Sequence, residues 1–194
     1  MSAIRWVAGS IVATMLSAGP GAAVEVAGVQ VADTIKLGGV DLVLNGAGTR
    51  TRAIFKVYVG ALYVPEKKTS AADVLALKGP KRIALHVVRD LSAEQLGGAL
   101  TDGLAANLSE AELTRFKTQI EDLKATMEAV GAAREKHVVT IDFLPDAGTR
   151  VSLNGTPRGK PIAGEDFYRA LMKIWLGDKP VDRSLKAALL GQSG

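Results

Sequence analysis

Apolar and polar residues alternate along four stretches of this chain, a pattern typical of β-strands with one buried face. The stretches cover residues 24–44, 53–64, 81–89 and 138–153. Turn-forming residues such as glycine, proline and asparagine interrupt the first and last stretches, so we expect short strands joined by hairpins there.

Between the third and fourth stretches the apolar period lengthens to four residues, which predicts amphipathic helices. Two capping boxes, each a serine followed three residues later by Gln or Glu, predict where these helices begin. The first helix follows Ser92 and carries a leucine at every fourth position from Leu96 to Leu108. The second follows Ser109 and continues to Gly131. Shorter helical patterns cover residues 71–77, 164–176 and 181–190.

The order of these elements is strands, helices, strands, helices. That order predicts an α+β domain, in which helices pack on one side of an antiparallel sheet. Residues 24–194 are enough chain for one such domain with a substantial core, or with an enclosed ligand.

The stretch LNGAGTRTRAIFKVYVGALYV, residues 44–64, holds the most informative strand. Asn45-Gly46 predicts a turn before it. Strand alternation places Phe55 and Val57 on a core face, and Lys56 and Tyr58 on a face that is otherwise apolar. A lysine and a hydroxyl among apolar residues indicate the wall of a cavity or cleft.

Arg50 and Arg52 stand directly before this strand. Without a bulge, they share one side with Lys56 and Tyr58. A guanidinium group can form two hydrogen bonds with a carboxylate or a phenolate, and a tyrosine hydroxyl can add a third. The other interpretation is that both arginines lie at the sheet rim and are solvated.

The first 26 residues, MSAIRWVAGSIVATMLSAGPGAAVEV, have the build of a secretory signal peptide. One early cation, Arg5, precedes an apolar run of about 13 residues and then a set of small residues. That run is shorter than the roughly 20 residues of a membrane span. We therefore expect residues 1–23 to be a signal peptide and residues 24–194 to be an exported, periplasmic domain with no integral membrane span.

Composition excludes several classes of protein. Without any cysteine, an exported domain has no disulfides to stabilise it. Losing Arg5 leaves 23 basic and 20 acidic residues, too small an excess to predict nucleic-acid binding.

His86 and His137 are far apart in the sequence, so we predict no metal site. Gly46-Ala47-Gly48 lacks the third glycine and the lysine of nucleotide-binding loops, so we predict no cofactor.

Two segments resemble the chalcone isomerase superfamily, specifically its bacterial exported, chalcone isomerase-like branch. They are LNGAGTRTRAIFKVYVGALYV and the later FYRALMKIWLGDKPVDRSLKAALLG. The resemblance spans nearly all of residues 24–194. It implies an open-faced β-sandwich, in which a large antiparallel sheet is covered by a helical layer with a ligand cleft between them.

The resemblance also implies roles for single residues. Arg50 stands where plant chalcone isomerases hold the anionic end of the substrate, and Tyr58 where they have a threonine. Leu96 and Gly103 replace a tyrosine and an asparagine, and Ile174 replaces a polar threonine or serine. Leucine, glycine and isoleucine cannot stabilise the enolate that ring closure forms.

Three functions are consistent with these residues. The leading hypothesis is a non-catalytic protein that binds a small amphipathic anion, a fatty acid or a phenolic compound, in an apolar cleft anchored by an arginine. The predicted ligand-binding residues are Arg50, Tyr58, Lys56, Leu96 and Ile174. The alternative is an isomerase of the chalcone-to-flavanone type that uses Arg50 and Tyr58. The third is an interaction protein in which Arg50 stabilises the fold. The oligomeric state is left open.

Overall fold

A computed structural model describes residues 23–192. The predicted signal peptide therefore lies outside the described residues, apart from Ala23 at its boundary.

The centre of the domain is a seven-stranded antiparallel sheet in which every strand pairs with its neighbours in sequence. A separate two-stranded hairpin precedes it. The hairpin strands are β1 (Ala23–Val26) and β2 (Val29–Ala32), and the sheet strands are β3 (Thr34–Leu37), β4 (Val40–Arg52), β5 (Phe55–Val64), β6 (Lys81–Val87), β7 (Val138–Leu144), β8 (Gly148–Leu153) and β9 (Thr156–Ile162).

Six helices accompany the sheet: α1 (Ala71–Ala76), α2 (Ala93–Asn107), α3 (Glu110–Arg115), α4 (Lys117–Val130), α5 (Glu165–Leu176) and α6 (Arg183–Leu189). Both predicted capping boxes are present, at Ser92 and Ser109. The predicted helix 109–131 is divided at Phe116, whose ring is buried against Phe167. In the described part of the chain, no helix is both long and apolar enough to cross a bilayer.

The two faces of the sheet have separate hydrophobic cores. The larger core lies between the sheet and the helices and contains Tyr58, Leu62 and Trp175. The smaller core lies on the opposite face and includes Val59 and Tyr63, covered in part by the β1–β2 hairpin. The α+β architecture with one helical layer is therefore confirmed.

The turn predicted at Asn45-Gly46 is not formed. Strand β4 instead continues through these residues to Arg52 with a β-bulge at Asn45, and the chain reverses at Ala53 and Ile54. The predicted strand 53–64 accordingly begins at Phe55. Asn45 is buried and its side chain donates to the carbonyl oxygens of Lys68 and Leu189, which fixes β4 to the C-terminal end of α6.

The glycines of β4 make room for α6. A Cβ atom at Gly46 would lie 2.0 Å from the Ala188 carbonyl oxygen, and one at Gly48 would lie 2.5 Å from the Ala188 Cβ. Neither glycine has a positive φ. Their absent side chains therefore serve the close packing of helix against strand.

Candidate ligand-binding site

A β-bulge near the loop that joins β4 to β5 positions the site. Arg50 pairs with Tyr58 across the two strands, whereas the next residue, Thr51, pairs with Lys56. Val57 is therefore the extra residue, and both Val57 and Tyr58 pack into the core beneath the helices. Because a bulge reverses the facing of the residues beyond it on the same strand, Tyr58 and its partner Arg50 are separated from Lys56.

Tyr58 lies at the floor of this site. Its ring is 4% exposed, and its hydroxyl oxygen accepts a hydrogen bond of 2.8 Å from the Trp175 indole N–H. Burial raises the pKa of Tyr58 to about 12, although the neighbouring Arg50 charge acts to lower it. The hydroxyl is therefore neutral at physiological pH, and its proton can be donated to a ligand.

Arg50 lies beside that ring, with its guanidinium carbon 5.5 Å from the ring centre. Its Nε atom is buried and has no hydrogen-bond partner in the described residues. Within residues 23–192, no carboxylate lies within 4.0 Å of the guanidinium. A buried donor without a partner is costly, so an anion at this point would satisfy both a charge and a hydrogen bond.

A narrow cavity opens from Arg50 and Tyr58 between the sheet and helices α2 and α5. Its volume open to the centres of water molecules is about 40 Å³. Apart from Arg50, Tyr58, Gln95 and the Trp175 indole, its lining is aliphatic or thioether: Leu85, Leu91, Leu96, Ala99, Leu100, Met127, Val139, Ile141, Ile174 and Val181. The cavity thus joins a polar end to an apolar interior.

Two open grooves meet this cavity at its outer end. One, of about 320 Å³, runs past Phe55 and Arg89, and the other, of about 680 Å³, runs along α2 towards Lys179. Arg50 and Gln95 border both grooves and the cavity. Arg50 is therefore positioned where a ligand would pass from the surface to the interior.

The structure brings four of the five predicted ligand-binding residues together. Arg50, Tyr58, Leu96 and Ile174 all line the cavity. Gly103 lies just outside it, and a Cβ atom there would be 2.8 Å from Ile174 Cγ2. Helices α2 and α5 consequently approach closely above the cavity, where the resemblance implied polar groups in catalytic relatives.

Lys56 lies apart from these residues. It is exposed beyond the bulge and borders neither the cavity nor the two grooves. The predicted grouping of Lys56 with Arg50, Arg52 and Tyr58 on one side required a regular strand β5, which the bulge interrupts at Val57. Arg52 is also exposed and borders the two outer grooves.

Sequence reasoning did not include Trp175 or Gln95 in the site. A signal for Trp175 was available, since a buried indole N–H needs an acceptor and Trp175 directly follows Ile174. Gln95 was interpreted as a capping residue, and its side chain does accept from the Ser92 N–H. Its position at the cavity mouth follows from the docking of α2 on the sheet.

Comparison with known families gives a match over nearly the whole described domain. The sequence profile described as "Chalcone isomerase-like" matches residues 23–191. The chain belongs to the chalcone isomerase-like family. The resemblance inferred from the two sequence segments is thereby confirmed.

The fold of this chalcone isomerase-like protein is also similar to solved structures. One is the crystal structure of an Arabidopsis thaliana fatty-acid binding protein, with a TM-score of 0.66 and 13% sequence identity. The alignment covers 84% of this chain and 92% of the plant protein. At this identity the similarity concerns the fold. A comparison with curated protein sequences finds no match.

Proposed function

We propose that this protein is a non-catalytic binding protein for a fatty-acid-like or other amphipathic anion. The ligand's anionic end binds Arg50, the Tyr58 hydroxyl donates a hydrogen bond to it, and the apolar chain occupies the interior between Leu96 and Ile174. The observation that carries the proposal is the buried, unpartnered Nε of Arg50 at the mouth of an apolar cavity.

The similarity of fold to a plant fatty-acid binding protein supports this ligand class. The lining supports it as well, since aliphatic side chains favour an alkyl chain and one cation favours a single anionic group. The replacement of polar catalytic positions by Leu96, Gly103 and Ile174 favours binding over catalysis.

Binding of a long alkyl chain requires the cavity to widen. Pockets that enclose drug-sized ligands measure roughly 300–1,000 Å³, against about 40 Å³ here. Helix α2 is the element that can yield, because its interior holds three glycines, Gly97, Gly98 and Gly103. Each glycine lowers helix stability by about 1 kcal/mol relative to alanine. We infer that α2 moves away from α5 when the chain enters.

We also propose that the protein is exported to the periplasm after removal of residues 1–23. The proposal rests on the sequence pattern of that segment. Mass spectrometry of the protein recovered from a periplasmic extract tests it, and a mature N-terminus near Val24 is the expected result.

The first prediction concerns the anion. Arg50→Gln should weaken the binding of dodecanoate by about 10- to 100-fold, because a hydrogen bond to a charged group contributes about 1.5–3 kcal/mol. The affinity for dodecan-1-ol, which has the same chain without a charge, should change less than twofold. Isothermal titration calorimetry with both ligands measures the difference.

Lys56→Gln is the matched control, since it removes a positive charge from the same hairpin outside the cavity. Dodecanoate affinity should stay within twofold of the unsubstituted protein. If Arg50→Gln bound dodecanoate as well as the unsubstituted protein does, the anchoring role of Arg50 would be refuted. A marked loss of thermal stability in Arg50→Gln without a change in affinity would instead favour the fold-stabilising role.

The isomerase alternative makes a separate prediction. Ring closure requires polar groups that stabilise an enolate, and the side chains above the cavity at Leu96 and Ile174 are apolar. We therefore expect naringenin chalcone to cyclise no faster with this protein than in buffer, as followed by its visible absorbance. Acceleration that is lost in Arg50→Gln would establish the enzyme and overturn the non-catalytic assignment.

A further inference from the structure

The tip of the β4–β5 hairpin exposes two large apolar side chains in succession. Ile54 is 85% exposed and Phe55 is 50% exposed. Among the described residues, Val24 and Val40 are the other large hydrophobic residues with substantial exposure, at 46% and 39%, and neither adjoins the tip in sequence. The tip is therefore the one place in residues 23–192 where two neighbouring large apolar side chains both face solvent to this extent.

The requirements of the turn do not explain this sequence. Arg52 pairs with Phe55, so Ala53 and Ile54 form a two-residue loop. Ala53 has a φ of +54°, a conformation in which glycine or asparagine is favoured and a side chain is strained. An isoleucine at the apex adds exposed apolar surface without any contribution to the core. Both the positive φ of Ala53 and the exposed side chain of Ile54 lower the stability of the isolated domain. A partner outside the domain would account for them.

Three cations surround the apolar tip. Arg52 and Lys56 flank it in sequence, and the guanidinium of Arg89 lies 4.2 Å from the centre of the Phe55 ring. In the part of the chain that the structure describes, none of these three cations lies within 4.0 Å of a carboxylate. Asp90 is close by, but its carboxylate accepts from the Glu135 N–H.

Apolar side chains at the apex with cations next to them match the surface of an anionic bilayer. The apolar groups enter the boundary between headgroups and acyl chains, while the cations remain with the phosphates. An acidic protein surface would pair with the cations but would gain less from Ile54 at an 85% exposed apex. The combination therefore favours a lipid surface.

We infer that the hairpin tip, comprising Arg52 to Lys56 together with Arg89, docks the protein on membranes that contain anionic lipids. The groove beside Phe55 and Arg89 leads from this tip to Arg50. Docking therefore places the mouth of the cavity against the bilayer. The inference goes beyond the proposed function and does not depend on it, since a docked tip needs no ligand in the cavity.

A site-specific fluorescent label tests this docking. The chain has no cysteine, so Ile54→Cys in the full chain gives a single site for a nitrobenzoxadiazole dye. Vesicles of equal parts phosphatidylglycerol and phosphatidylcholine should shift the emission to the blue and raise its intensity. Pure phosphatidylcholine vesicles should give a much smaller response, and added salt should weaken the response to the anionic vesicles.

Ala111→Cys, on an exposed position of α3, is the matched label control. The dye at Ala111 responds only if the region around α3 meets the bilayer. It therefore detects binding that does not go through the hairpin tip alone. A blue shift at Ile54→Cys alone supports docking through the tip. Equal responses at both positions, or no response at Ile54→Cys, would overturn the inference.

Charge substitutions distinguish a specific role of the tip cations from an attraction between the protein's overall positive charge and the anionic vesicles. In the Ile54→Cys background, Arg52→Gln with Lys56→Gln should weaken the vesicle response about 25-fold, since each cation near an anionic surface contributes roughly fivefold. Lys117→Gln with Lys124→Gln removes the same charge from exposed positions on α4 and should change the response less than twofold. Equal losses in both pairs would contradict a role for the tip.

The vesicle experiment tests the docking separately from the proposed fatty-acid-like ligand. Arg50→Gln addresses dodecanoate binding in solution, whereas the label at Ile54→Cys addresses vesicles. A protein that docks but does not prefer dodecanoate over dodecan-1-ol would refute the proposed ligand alone. A protein that prefers dodecanoate but leaves the tip label unchanged would refute the docking alone.

Discussion

Tyr58 illustrates how one residue combines structural and chemical roles. Its ring contributes to the core between sheet and helices, and its hydroxyl accepts from Trp175 on α5. The adjacent guanidinium of Arg50 favours the ionised phenol, but burial has the larger effect and raises the pKa to about 12. Tyr58 is therefore a neutral donor held in a fixed position beneath the guanidinium.

The raised pKa predicts a specific dependence of stability on pH. An unfolded tyrosine ionises near pH 10, whereas Tyr58 in the folded protein stays neutral to about pH 12. The contribution of neutral, buried Tyr58 to the free energy of unfolding is complete below pH 10. It is lost as the pH rises from 10 to about 12, and the loss amounts to about 2–3 kcal/mol. Urea unfolding between pH 8 and 12 should therefore show a steeper decline for the unsubstituted protein than for Tyr58→Phe.

The comparison with Tyr58→Phe is needed because burial also raises the pKa of Tyr168. Both proteins share the ionisation of Tyr168, so their difference isolates Tyr58. Parallel stability curves for the two proteins would show that Tyr58 ionises at the same pH when folded and unfolded.

At the scale of single residues, the sequence was sufficient to place Arg50 and Tyr58 in the cavity lining. The family resemblance placed Arg50 at the anion-holding position, and strand alternation placed Tyr58 on a cavity wall. The position of Lys56 outside the cavity could not be derived, because the bulge at Val57 leaves no mark in the alternation of apolar and polar residues.

At the scale of elements, α2 is the helix whose movement we propose to widen the cavity. It begins with a capping box and buries Leu96, Leu100 and Leu104, which fixes it to the sheet and α4. Its glycines reduce the free energy that holds it helical. Gly98 is exposed, with no atom within 4 Å of where its Cβ would be, so its replacement alters the helix alone.

Gly98→Ala should therefore slow the release of a bound fatty acid by up to about fivefold, because stabilising the helix by about 1 kcal/mol disfavours its opening. Ala105→Gly, at another exposed position of α2, should have the opposite effect. Stopped-flow release of a fluorescent fatty acid measures both rates. Identical rates in the two variants would show that release does not depend on α2.

The glycines of β4 show why the boundaries of elements are harder to predict than their type. Asn45-Gly46 is a frequent turn sequence, and local reasoning favours a turn. The structure uses the missing side chains of Gly46 and Gly48 for the approach of α6, which lies about 140 residues later in the chain. A contact over that separation has no local signature.

For the molecule as a whole, the alternation of strands and the capped helices were sufficient to predict the architecture. The order of strands and helices indicated an antiparallel sheet with one helical layer, and the structure has that arrangement. The size of the cavity could not be predicted, because it depends on the close approach of Gly103 to Ile174. Sequence alone identifies the lining of such a cavity better than its volume.

The strictly sequential order of the sheet has a consequence for how the protein acquires its structure. As a chain emerges with its N-terminus first, each new strand from β4 to β9 finds the preceding strand of the sheet already present, so the sheet can assemble progressively. Helix α6 is the exception, since the glycines of its partner strand β4 stay uncovered until residues 183–189 have been made. A nascent domain halted before Leu185 would therefore expose the surface of β4 that α6 covers.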